Sequence, residues 1–163
     1  MFDEELLDLA RNVLTRARER NIHLATAESC TGGLVMGCLT EIAGSSDVVD
    51  RGFITYTNRA KAEILGVSID TLSRYGAVSE VCAREMAEGA VRKSASTIAV
   101  AVTGIAGPGG GTTDKPVGLV HMAAHRRGGI TRHEEHRFGD IGREKVRRET
   151  TAAALKLVLN MMT

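Results

Sequence analysis

The chain has 163 residues, enough for one domain with a sizeable core, and 43% of them are hydrophobic, the balance of a soluble globular protein. Its net charge is +1, only 3% of residues are aromatic and Trp is absent, which weighs against a nucleic-acid surface of basic patches and stacking rings. No apolar run approaches a membrane span, the start Met1-Phe2-Asp3-Glu4-Glu5 is acidic, and Cys30, Cys38 and Cys82 form no C-x-x-C pair, so the expectation is a cytoplasmic protein with reduced thiols and no membrane partner.

Asp3 to Arg20 reads as an amphipathic helix, with Leu6, Leu9, Ala10, Val13, Leu14 and Ala17 on one face. Ile22 to Ala27 reads as the first strand. It runs into Glu28-Ser29-Cys30-Thr31-Gly32-Gly33, and a helix from Leu34 to Ile42 runs out. Val48 to Thr57 is the second predicted strand. Asn58 is expected to cap a helix from Arg59 to Leu65, closed by Gly66. Ser68 and Ser79 are expected to cap two more, ending near Tyr75 and Lys93. Thr97 to Val102 is almost unbroken apolar sequence, as in a strand buried on both faces. The glycine-rich stretch from Thr103 to Pro116 follows. Val117 to Ala124 reads as a buried strand and Ile130 to Phe138 as a polar edge strand, joined at Gly128-Gly129. Asp140 is expected to cap the last helix, Ile141 to Met161. The order predicts a single-domain three-layer α/β/α sandwich, its sheet mostly parallel with an antiparallel edge. Ligands of such sheets sit at the carboxyl ends of strands, where Ser29, the residues after Tyr56 and the glycine-rich loop share one rim.

A serine in a tight strand-to-helix turn has its hydroxyl pushed out of the sheet's end. The amides that follow lack intrahelical acceptors and can hold an oxyanion or phosphate. The plainer use of Ser29 or Thr31 is to cap the helix. A nucleophilic serine needs a base. None of His23, His121, His125, His133 and His136 is well placed, and no strong metal-ligand motif is present. Lys61 lies just after a strand end, in the first turn of a predicted helix, where the dipole and partial burial both favour a neutral amine. Tyr56 is near enough to relay a proton or orient that amine. The alternatives are a surface lysine and a core tyrosine. Cys30 is a rival nucleophile, because a helix N-terminus lowers a thiol's pKa. The glycine-rich loop carries no Walker lysine, yet its amides can cradle a phosphate or carboxylate. Arg143, Lys145, Arg147 and Arg148 can reach such a group or simply face water.

Taken together, Ala27-Glu28-Ser29-Cys30-Thr31-Gly32-Gly33, Gly52-Phe53-Ile54-Thr55-Tyr56-Thr57-Asn58 with Lys61, Leu65-Gly66-Val67, Gly76-Ala77-Val78-Ser79, Thr103-Gly104-Ile105-Ala106-Gly107-Pro108-Gly109-Gly110 and Lys115-Pro116-Val117-Gly118 resemble the C-terminal domain of the CinA (competence/damage-inducible) family. Stand-alone members of that family are similar to nicotinamide mononucleotide deamidases, which release ammonia and leave nicotinate mononucleotide. Longer members add an N-terminal molybdopterin-binding-like domain, for which this chain has no room. The resemblance implies Ser29 as nucleophile, Lys61 as base and Tyr56 as an assisting residue. It implies Thr31 and Gly32 as oxyanion donors. Asn58, Thr103, Gly104, Gly107 and Arg143 would bind the nucleotide, no metal or organic cofactor is required, and the protein is expected to be a homodimer or larger assembly. Two other classes stay open: a nucleotide-binding regulatory module without catalysis, and a Ser-Lys amidase with another substrate.

Overall fold

A computed structural model describes residues 1–163. Five strands form one sheet in the order β2-β1-β3-β4-β5: β1 is Leu24–Glu28, β2 Val49–Ile54, β3 Ile98–Gly104, β4 Leu119–Arg126 and β5 Thr131–Arg137. The β2–β1 and β1–β3 pairs are parallel, and the β3–β4 and β4–β5 pairs are antiparallel, so β4 alone runs against the others. Six α-helices cover the sheet: α1 (Glu4–Glu19), α2 (Leu34–Thr40), α3 (Asn58–Leu65), α4 (Ile69–Tyr75), α5 (Glu80–Arg92) and α6 (Arg143–Met161). This is the expected three-layer sandwich.

The pleat sorts the strand side chains into two cores. Leu24, Ile98, Val100, Val102, Val120 and Met122 meet the apolar faces of α1, α2 and α6. Ala25, Ala27, Ala99, Ala101 and Ala123 meet α3, α4 and α5. The second face is paved almost entirely with alanine, so helices lie close on it. Gly89 of α5 shows how close: a Cβ there would come within 2.0 Å of the Leu65 carbonyl oxygen. Each fully buried leucine, isoleucine or methionine contributes about 1.5–3 kcal/mol.

Several element ends differ from the sequence reading. Thr57, not Asn58, caps α3, its hydroxyl accepting from the Ala60 amide. The threonine holds the extended backbone a cap needs, and this leaves Asn58 as the first helical residue. Asp140 caps nothing. The chain turns once more at Gly142, with φ of 95°, and α6 begins at Arg143 without a side-chain cap. Thr103 and Gly104 belong to β3 rather than to the loop, because Gly104 pairs with Val120 across the sheet. A Cβ at Gly104 would meet Val120 Cγ2 at 2.6 Å, so the pairing needs glycine. Ser68 and Ser79 cap α4 and α5 as expected, and Gly66 closes α3 in the left-handed conformation.

Candidate active site

β1 delivers Ser29 to the carboxyl end of the sheet, where the Ser29 amide donates to Val102 O at 3.1 Å and the Thr55 amide donates to Glu28 O at 2.9 Å. These two bonds lock the ends of β1, β2 and β3 together. They bring α3, which follows β2, over the serine. Lys61 projects from the first turns of α3, with Nζ 2.9 Å from Ser29 Oγ and donating to Thr55 O at 2.8 Å. Lys61 is only 1% exposed and Ser29 8% exposed, so water does not solvate an ammonium here. Burial pulls the Lys61 pKa below its ordinary 10.5. The nearby thiols of Cys82 and Cys30 would oppose this only as thiolates, and burial pushes both thiols up to about 11. At neutral pH they carry no charge, and no carboxylate pairs with Lys61. Cys30 makes no hydrogen bond to the amine, whereas Ser29 Oγ lies 2.9 Å from it, so the base serves the serine rather than the rival thiol.

The turn is held by two groups that the sequence reading did not assign. Glu28 is 1% exposed and its carboxylate sits on the start of α2. It accepts from Thr31 Oγ1 at 2.6 Å, from the amides of Gly33 and Val35 at 3.0 and 3.1 Å, and from Met36 at 2.8 Å. The helix donors are therefore spent on a resident anion. The Gly32 amide donates to Ser29 O at 3.1 Å, which corrects its expected place as an oxyanion donor. The Cys30 and Thr31 amides have no acceptor within the chain. From the other side, Arg147 Nε donates to Cys30 O at 3.1 Å and Nη2 to Thr31 O at 2.9 Å. A signal for Glu28 exists in the sequence: one acidic residue ends a strand with no other charge, with Thr31 three positions on. For Arg147 the only signal is its spacing of four residues from Arg143, which puts both on one helix face.

A cleft of about 230 Å³ opens beside the turn, between Cys30, Tyr56, Arg143 and the start of the glycine-rich loop, including Gly104 and Gly107. Arg143 spans it, Nη1 donating to Gly107 O at 3.0 Å and Nη2 to the Tyr56 hydroxyl at 3.2 Å. Tyr56 is 60% exposed and touches neither Ser29 nor Lys61 through hydrogen bonds, so its place is on the cleft wall rather than in a proton relay. Gly107, with φ of 80°, has no room for a side chain, since a Cβ would meet Val117 at 2.6 Å. Thr103 is buried and donates to Ala77 O at 2.9 Å, tying the turn before α5 to β3 instead of facing the cleft. Asn58 is exposed in a separate groove between α3 and α4. Of the remaining basic residues of α6, Arg148 is engaged by Asp3, Glu5 and Glu149, and Lys145 is exposed. Arg143 forms no ion pair within the chain.

Elsewhere, His121 and His133 stack and share a 2.9 Å contact away from the serine. No group of three or more His, Cys, Asp or Glu is placed to hold a metal ion, and no helix is long and apolar enough to cross a membrane.

A serine and a buried lysine in contact at the carboxyl end of a mixed sheet define the class, an α/β protein with a Ser–Lys site. The chain belongs to the CinA family, the model of the CinA C-terminal domain matching residues 6–162. It is 49% identical over 158 residues to the nicotinamide-nucleotide amidohydrolase PncC of Escherichia coli K12, an alignment covering 96% of this chain and 94% of that protein. It is 52% identical over 158 residues to a putative competence-damage inducible protein of Acetivibrio thermocellus, where it spans 37% of the longer chain. The crystal structure of the competence/damage inducible protein CihA from Agrobacterium tumefaciens superposes with a TM-score of 0.99 at 52% identity, over 100% of this chain and 99% of that one.

Proposed function

We propose that the protein is a nicotinamide-nucleotide amidase. It hydrolyses the carboxamide of nicotinamide mononucleotide to nicotinate mononucleotide and ammonia. The observation that carries this reading is the 2.9 Å contact between Ser29 Oγ and the buried, unpaired amine of Lys61. The near full-length likeness to an amidohydrolase of that substrate supports it.

In the neutral form, the Lys61 lone pair takes the Ser29 proton while the bond from Nζ to Thr55 O keeps the amine aligned. Ser29 Oγ attacks the carboxamide carbon. The Cys30 amide, directly after the nucleophile, and the Thr31 amide hold the oxyanion, each donor worth about 3 kcal/mol in the transition state. Lys61 then gives its proton to the leaving nitrogen, the C–N bond breaks, and ammonia departs. Water, deprotonated by the same amine, hydrolyses the ester on Ser29. Arg143, Tyr56 and Gly107 at the cleft bind the nucleotide, with Arg143 meeting the phosphate.

The test is ammonia release from nicotinamide mononucleotide by the purified protein and by Ser29→Ala. The wild type turns over. The variant binds the nucleotide with similar affinity and releases none. A wild type that binds without releasing ammonia would instead be a regulatory module.

A further inference from the structure

Arg147 stands behind the Ser29 turn. Its guanidinium is half-buried and pairs with no carboxylate, although Arg148 beside it is surrounded by Asp3, Glu5 and Glu149. A cation partly removed from water without a counter-charge is costly, and here two peptide dipoles compensate it, those of Cys30 O and Thr31 O. In a trans peptide the carbonyl and the amide of one unit point in opposite directions. Holding Cys30 O toward α6 therefore turns the Thr31 amide away from α6. The bond from the Gly32 amide to Ser29 O turns the Cys30 amide outward in the same manner. These two amides have no acceptor in the chain, and the donors downstream are consumed by Glu28. The charge that develops beside Ser29 thus has these two donors and no others in the turn.

We propose that Arg147 is a positioning residue for the oxyanion hole: it fixes and polarises the Cys30–Thr31 peptide so that the Thr31 amide is aimed at the reacting oxygen and strengthened as a donor. The proposal rests on the reading of Ser29 as an acylated nucleophile. It separates Arg147, which works through the turn, from Arg143, which lines the cleft.

The test uses Arg147→Met, which keeps the apolar stem without the charge, and Arg147→Lys, which keeps charge without the fork that spans two carbonyls. Two rates are measured: ammonia release from nicotinamide mononucleotide, and phosphonylation of Ser29 by a fluorophosphonate. In the second reaction the Ser29 Oγ–P bond forms, fluoride leaves and the serine proton passes to Lys61, so no nucleotide is needed. Arg147→Met is expected to lower kcat and the labelling rate by about 100-fold with KM within about threefold, and Arg147→Lys to stay at least about tenfold below wild type. The pH profile keeps its shape, since Lys61 is untouched. Should Arg147→Met fail to fold, Arg147→Lys carries both measurements. Rates within about threefold of wild type, a rise in KM at unchanged kcat, or a wild type that is not phosphonylated at Ser29 would each overturn the proposal. A wild type that is phosphonylated but releases no ammonia refutes the substrate reading instead, and the labelling ratio then decides the place of Arg147.

Discussion

Glu28→Gln isolates the group that organises the nucleophile turn with the smallest possible change in shape. The carboxylate accepts four hydrogen bonds inside the protein, three on Oε2 and one on Oε1. A glutamine can keep its oxygen toward Thr31 Oγ1, Gly33 and Val35. Its NH₂ group then faces the Met36 amide, donor against donor. Leaving that buried amide unsatisfied costs about 1–3 kcal/mol, and each remaining bond weakens by about 1 kcal/mol as its acceptor loses charge. Together the substitution should remove about 4–6 kcal/mol from a stability that for domains of this kind is about 5–15 kcal/mol. Thermal unfolding should then shift down by about 10 °C. Urea unfolding followed by circular dichroism reads the difference directly. A loss below about 1 kcal/mol would mean that α2 does not depend on this resident anion, and the account of why its donors are unavailable to a substrate would be wrong.

Further outcomes follow from the same contacts. Lys61→Met should abolish turnover yet raise stability by about 1–3 kcal/mol, because a buried amine is replaced by an apolar chain of similar length; a destabilised variant would contradict the burial argument. Turnover in the wild type should rise with pH through a Lys61 pKa below the usual 10.5, since the neutral amine is the working form, and kcat/KM measured between pH 5 and 10 checks it. Arg143→Gln should raise KM for the nucleotide by at least about tenfold, with a smaller effect on nicotinamide riboside, which lacks the phosphate; equal effects on both would remove Arg143 from the phosphate. Burial depresses the pKa of both His121 and His133, with Glu80, Glu135, Lys115, Arg84 and Glu134 acting on one or both. The unfolded chain binds their protons first, so stability should fall as pH drops below about 6.5, and replacing both by Gln should flatten that limb in pH-dependent denaturation.

The layers and most helix ends were legible because local chemistry decides them. Ser68 and Ser79 offer hydroxyls to their own first turns, Gly66 supplies a left-handed residue, and Ile98–Val102 leaves no polar face for a surface strand. Residue-by-residue reading put Ser29 and Lys61 on a shared rim, the family resemblance paired them as nucleophile and base, and the backbone bonds between the ends of β1, β2 and β3 bring them into contact. Tertiary context decided the rest. Gly104 extends β3 because β4 runs beside it, and Thr103 turns to Ala77 because the segment before α5 crosses there. Glu28 and Arg147 carried only weak local signals, a carboxylate at a strand end with Thr31 three positions on and a spacing of four from Arg143, neither of which says that one caps a helix from within a strand or that the other reaches across 117 positions to a carbonyl. Asn58 failed as a cap because its neighbour Thr57 holds the extended backbone a cap needs, and Asp140 because the chain turns again at Gly142 before α6 begins.

A double-substitution cycle on ammonia release, with Ser29→Ala, Lys61→Met and the pair together, probes the hydroxyl and the amine as one unit. Each single change should lower kcat/KM by at least about 10⁴-fold and the combination should cost no more than either alone. Losses that multiply, or a Lys61→Met enzyme within tenfold of wild type, would show that the two side chains act independently.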